Sequence, residues 1–366
     1  MIESWIVLLK RSLIGSMRRG HQTLRYSAIA KAKGLKFIFP TRLSVGWILC
    51  GGNNVGSSRI HGINLHEFAK SQWISSFIVN QPDTYNERLD IDDYDLDILS
   101  NVRFDIVIFQ RVHAGRTLEL IERLKSVNTT TIFFAADLYE SAAYLTTDYV
   151  FTVSDALRDE LVNRGVSFTR IHVVPDAIET DESLCKEYIQ GEPSELKIAW
   201  VGAAGHWRTL DSIRSLLRSD SRLGRFQLLT ISNHANADIQ WSLNTVWDEI
   251  LKCDIGIVPV DTDTPQALVK SNNRVTMFKA LGLPVICSKL PAYEDVIADG
   301  ETGFIANTPA EWGSALLALV DPAVRKRIGL AGRMTVFNRF GMRQVGLDFC
   351  DLLHSIKDRQ KLSKFP

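Results

Sequence analysis

CDIGIVPVDTDTPQALVKSNNRVTMFKALGLPVICSKLPAYEDVIADGETGFI, residues 253–305, reads as strand, polar loop, short helix, strand, loop, short helix, strand. Residues 255–260 are apolar except for Gly256 and close at Pro259, the pattern of a strand buried on both faces. A polar loop with Asp261, Asp263 and Lys270 follows. Ser271 stands where an N-cap belongs, 272–281 continue as helix, and Gly282 ends it before a strand over 283–287. Ligands of open parallel sheets bind outside the carboxyl ends of strands, so the loop 261–271 is where a ligand should lie. A helix start flanked by Lys270 and Arg274 suits an anion, above all phosphate.

Outward from this stretch the alternation continues. Strands are expected at 197–201, 227–232, 255–260 and 285–287, then helices over 310–320 and 323–337 and a helical tail over 342–357. Upstream, strands are expected at 45–50, 76–79, 106–110, 131–135, 149–153 and 171–174, with helices over 60–70, 117–126 and 155–164. Alternation of this kind means parallel α/β sheets. The acidic run 83–97 reads as solvated surface without a binding role, and the polar run between Asp176 and Glu195 as an interdomain linker. The domains are therefore drawn as a basic leader (1–42), a first α/β domain (43–180), a second (195–337) and a tail (338–366).

CDIGIVP, KALGLPVICS, PAYEDV and GETGFI stand in the order and near the spacing of blocks shared by GT-B glycosyltransferases, and the chain resembles their family 4. SSRIHGINLHEFA, FDIVIFQR, DYVFTVSDALRDEL, IHVVPDAI and LKIAWVGAAGHWRTLDSI resemble further blocks, so the likeness runs from about Val45 to Phe337 and leaves the leader unmatched. The resemblance implies two Rossmann-like domains facing each other across a cleft, with a last helix crossing back to the first domain. It also implies a nucleotide-diphosphate sugar donor, no metal and no further cofactor, and a role in building surface polysaccharide.

Breaking a sugar–diphosphate bond without metal needs cations and helix dipoles at the leaving group. The family's first cation is Ala203 here, its second matches Arg208, and Lys270 with Arg274 would complete the set. The alternative for each is a surface ion pair, but all three fall at carboxyl ends of expected strands, so the phosphate reading is preferred. The family's paired glutamates fall at Val269 and Met277, so donor hydroxyls would have to be held by Asn272, Asn273, Asp261 or Asp263, with Ser271 beside them. Gly202 and Gly205 would let the backbone approach the diphosphate or would simply form a tight turn. His206 follows them, and Trp241 lies where the family packs its nucleobase, although a tryptophan there is more often core. On the acceptor side stand Gly52, Ser58 and Arg59 in the first loop, Arg111 and His113 after the strand ending at Gln110, and Asp137. Arg59 could meet a lipid diphosphate; His113 is either a catalytic group or a structural histidine. With no evident base, a retaining transfer is expected, in which the leaving phosphate takes the acceptor proton.

Composition sets the limits of this reading. The 366 residues suffice for two domains, and 42 basic against 42 acidic residues give no field favouring nucleic acid. Five scattered cysteines without C-x-x-C suggest buried thiols in a reducing compartment, and no apolar run reaches membrane-spanning length, so a cytoplasmic protein is expected. Residues 1–42 carry nine Lys and Arg against Glu3, interleaved with Trp5, Ile6, Leu8, Leu9 and Leu13. That pattern fits either a helix lying on an anionic membrane surface, which would make the protein peripheral, or an ordinary packed helix with a basic face. The rival functions are an inactive nucleotide-binding protein of the same fold, favoured by the missing glutamates, and a nucleotide-sugar epimerase, disfavoured by the few acids in these loops. A dehydrogenase is least supported, because G-x-G-x-x-G is absent.

Overall fold

The computed structural model describes residues 41–188 and 194–362. The leader expected over 1–42 lies outside the described residues except for its last two positions. The described chain divides into two compact units. One holds the residues up to Val153, Leu157–Val174 and the chain from Gly346; the other holds Ser154–Ala156 and Pro175–Val345.

In the first unit six parallel strands, β1 (Ser44–Leu49), β2 (Ser75–Asn80), β3 (Ile106–Gln110), β4 (Thr130–Ala135), β5 (Tyr149–Thr152) and β6 (Ile171–Val173), lie in the order β2-β1-β3-β4-β5-β6. Strands β1 to β4 are buried along their whole length, which is why their centres read as apolar runs without alternation, with polar residues only towards the ends. The order reverses between β1 and β3, so the crevice at their carboxyl ends is this sheet's switch point. The C-terminal helix Met342–Leu362 returns to this unit: Phe349 packs on Trp47 and Phe151, with ring centroids 5.8 and 6.1 Å apart, and Lys357 pairs with Asp105. Gly346 permits the approach, since a Cβ there would overlap the Phe68 ring.

The second unit has the parallel strands β7 (Leu196–Val201), β8 (Phe226–Ser232), β9 (Ile239–Gln240), β10 (Ile255–Val258), β11 (Val285–Cys287) and β12 (Phe304–Ile305) in the order β9-β8-β7-β10-β11-β12. Alternate residues of β7 feed separate cores: Ile198 and Trp200 pack with Trp312 and Leu316, Ala199 and Val201 with Val275 and Phe278. A Cβ at Gly256 would overlap the Phe278 ring, so this glycine lets the helix Asn273–Ala280 lie against the sheet. Here the order reverses between β7 and β10.

Four local expectations are corrected. The first helical run begins at Gly56 rather than at 60, passing through a π-helical stretch Arg59–Ile63 before the α-helix Asn64–Ser71, so Ser58 and Arg59 are helical. The acidic run is not all solvated surface: Arg88–Leu89 pairs with Ala114–Gly115, and Asp92 caps the helix Asp93–Asn101. The loop after β10 contains a helical turn, Pro265–Leu268, capped by Thr264. Asn272, not Ser271, is the N-cap of Asn273–Ala280, because the Ser271 hydroxyl is used elsewhere. Gly282, at φ +74°, does end that helix. All five cysteines are unpaired thiols, four of them buried.

Candidate functional site

At the switch point of the second sheet, two loops leave the carboxyl ends of β7 and β10. The loop after β7 turns at Ala204–Leu210 and is tied to the end of β8 by the Ala204 N–H, which donates to Asn233 Oδ1 at 2.7 Å. The Trp207 indole stacks on the His234 imidazole, centroids 4.0 Å apart and planes 7° from parallel, with the Arg214 guanidinium 4.4 Å from the indole centroid. Arg208, on the same turn, is exposed, and no hydrogen bond or ion pair holds it among the described residues.

The loop after β10 is fastened at several points. The Val260 N–H donates to Ser288 Oγ (2.9 Å), the Ser154 hydroxyl to the Val269 carbonyl (3.0 Å), and the Ser271 hydroxyl to Asp176 Oδ2 (2.7 Å). Lys270 stands between the last two anchors, half-buried. No side chain caps the helix that starts at Asn273, so its positive dipole end is left to a ligand or to solvent. Arg274 turns inward instead. It meets the buried Tyr293 hydroxyl: burial drives the Tyr293 phenol up, while the Arg274 charge and a side-chain hydrogen bond to Arg274 oppose it.

The first unit's switch point is organised around Arg111, which has φ +59°, a strained conformation for a residue with a side chain. Its guanidinium donates to the Tyr85 hydroxyl (2.7 Å) and Glu87 Oε1 (3.2 Å), pairs with Asp137 Oδ2 (3.2 Å), and lies 5.1 and 5.3 Å from the ring centroids of Tyr85 and Tyr139. Glu87 Oε2 is 3.3 Å from His113 Nε2, and the imidazole leans on Tyr139 with centroids 4.9 Å apart. Burial is the main cause that pushes the phenols of Tyr85 and Tyr139 above their ordinary range, so both stay protonated. Arg111 Nε and the Tyr139 hydroxyl are sealed without a partner. Beneath them the Gln110 amide oxygen accepts from the Cys50 N–H (3.4 Å) and the Ser58 hydroxyl (3.2 Å), joining β1, β3 and the first helix.

Comparison with solved structures decides the fold. HepE of Anabaena, solved with UDP and glucose, aligns over 86% of this chain and 100% of its own at a TM-score of 0.62 and 10% identity. A glycosyltransferase from Rickettsia africae ESF-5 covers 86% of this chain and 99% of its own (TM-score 0.61, 13% identity), and sucrose-phosphate synthase from Thermosynechococcus elongatus gives the same figures. The chain has the GT-B fold. No protein-family profile matches the sequence, and no curated protein does.

Within the GT-B frame the expected residues separate into groups. Arg208, Lys270, His206, Ser271, Asn272 and Asn273 all lie on the two loops at the second switch point or on the helix start that follows. Asp261 and Asp263 are exposed on the same loop, the Asp263 N–H donating to Asp261 Oδ1 at 3.2 Å. Gly202 has a packing reason, since a Cβ there would overlap the Trp200 ring; Gly205 has open space around it. Trp241 packs half-buried against the core, and at the family's glutamate positions Val269 is buried while Met277 packs on the core.

On the other unit Arg111, His113 and Asp137 gather as described. Gly52 is in the short loop after β1, Ser58 is buried against Gln110, and the buried Arg59 donates to the Asn53 carbonyl at 2.7 Å. Tyr85, Glu87, Tyr139, Ser154 and Asp176 were not singled out by the sequence. Glu87 is hidden in the acidic run; Ser154 and Asp176 sit in the TVSD and VPD blocks, whose pattern carries the family likeness but no sign of these side-chain contacts. Among the described residues no group of three or more His, Cys, Asp or Glu side chains is placed to hold a metal ion, and no helix is long and apolar enough to cross a membrane.

Proposed function

We propose that the chain is a glycosyltransferase that binds a nucleotide-diphosphate sugar on its second domain and a glycan or lipid-linked acceptor on its first. The observation that carries this reading is the strand order of the second sheet, which sets the loop bearing Arg208 beside the loop bearing Lys270 at one switch point. Arg208, Lys270 and the uncapped start of Asn273–Ala280 are the groups to stabilise negative charge on the departing diphosphate. The likeness to a protein solved with UDP, and again with UDP-glucose, supports this choice of donor. A place in surface-polysaccharide synthesis, at the cytoplasmic side of a membrane met through residues 1–42, belongs to the same proposal and rests on the sequence alone.

In the retaining form of the reaction the acceptor oxygen bonds to C1 as the C1–O bond to diphosphate breaks, and a phosphate oxygen takes the acceptor proton. The Glu87–His113 pair favours a second reading, inversion. With Nε2 turned to Glu87, His113 Nδ1 is the nitrogen able to accept that proton. Incubation with a panel of sugar nucleotides, scored for released nucleoside diphosphate and for the anomer formed, tests the proposal. Release from one donor, reduced about 100-fold in Lys270→Ala, is the expected result. Nucleotide binding without release from any donor would leave the inactive-binder reading.

A further inference from the structure

The first domain's site narrows the acceptor. Its cation is already neutralised, because Arg111 faces Glu87 at 3.2 Å and Asp137 at 3.2 Å, one guanidinium against two carboxylates. Arg59, the other cation the sequence offered for a phosphate, is buried and donates to the Asn53 carbonyl. A diphosphate brought here would meet net negative charge and would have to break an ion pair to find a donor. A cationic ligand is disfavoured too, since Arg111 already occupies the faces of Tyr85 and Tyr139.

What remains on offer is different chemistry. Tyr85 is 48% exposed with Arg111 on one side, so its outer face is open to an apolar surface. Glu87 Oε1 already accepts from Arg111 and from the Tyr85 hydroxyl, and Oε2 faces His113, so Glu87 offers its remaining lone pairs and Asp137 its partly exposed carboxylate, both as acceptors only. A ring with a C–H face and several hydroxyl donors matches both features.

Building on the proposed glycosyl transfer, we infer that the first-domain site takes an uncharged sugar ring, stacked on Tyr85 with hydroxyls donated to Glu87 and Asp137, and not the diphosphate of a lipid carrier. Arg111 then acts as a positioning residue, holding both carboxylates and the Tyr85 ring in place.

The test is saturation-transfer NMR on the full chain with UDP present to fill the donor site. Glucose, galactose, mannose and N-acetylglucosamine are the probes, with farnesyl diphosphate in parallel. The inference expects at least one sugar to bind through its C–H face, about fivefold more weakly in Tyr85→Ala, the loss of one aromatic contact, and with a smaller loss in Tyr85→Phe, which keeps the ring but not the hydroxyl held by Arg111 and Glu87. Silence of every sugar overturns it, as does farnesyl diphosphate binding that is lost in Arg111→Gln. A UDP-induced rise in melting temperature in the same samples separates the two readings. UDP stabilisation without sugar binding leaves the donor reading standing and removes this inference, whereas sugar binding without UDP stabilisation does the reverse.

Discussion

The Ser271 hydroxyl donates to Asp176 Oδ2 at 2.7 Å, and Asp176 is 3% exposed, so the loop that carries Lys270 is fastened to a buried carboxylate. Ser271→Ala removes one of the donors that satisfy that charge. The expected cost is about 1–3 kcal/mol in urea unfolding. Because Lys270 adjoins the anchor, nucleotide affinity should fall with stability; an affinity unchanged by the substitution would detach Lys270 from the site.

Gly202 and Gly205 look alike in sequence but differ in the fold. A methyl at position 202 must displace the Trp200 ring, so Gly202→Ala should lose about 1–3 kcal/mol. Nothing stands within 4 Å of a methyl at 205, so Gly205→Ala should stay within about 1 kcal/mol of wild type. Paired melting curves decide it, and equal losses would contradict the packing described for the loop after β7.

Lys279 lies wholly inside the second domain and donates to the Val296 carbonyl. Burial lowers it from 10.5 to about 8, with the nearby Cys287 acting the other way. The unfolded chain therefore holds this proton more tightly, and stability must rise with pH between about 8 and 10.5. The cost is complete below pH 8 and vanishes above 10.5. Lys279→Met removes about 3 kcal/mol of that penalty and leaves one carbonyl unpaired, for a net gain of about 2 kcal/mol at pH 7. The gain should shrink as pH rises to 10; a variant less stable than wild type at pH 7 would show that the amine is better satisfied than its burial implies.

The strands are legible because buried parallel strands are largely apolar: β3 begins and ends where the sequence places it, and β11 ends at Cys287 as expected, though it begins at Val285 and not at 283. The short strands β9 and Arg88–Leu89 were not, since two residues carry no period. Caps were half legible. Gly282 is legible from its own chemistry, but Ser271 looks like an N-cap while its hydroxyl serves Asp176, 95 positions away, a partner that no local pattern reveals. The same holds for the first-domain site. Arg111 and His113 stood out by following a strand, whereas Glu87 is one acid in a charged run until the fold sets it against both.

On the proposed function, the second domain binds a nucleoside diphosphate at the switch point between β7 and β10. The most direct test is the melting temperature of wild type and Lys270→Ala with and without UDP. Ligand at 100 times its dissociation constant adds about 2.7 kcal/mol of stability. A rise in the wild type that is lost in Lys270→Ala is the predicted result. An equal rise in both proteins would contradict the assigned phosphate site, and no rise with UDP or any other nucleoside diphosphate would contradict the donor reading itself.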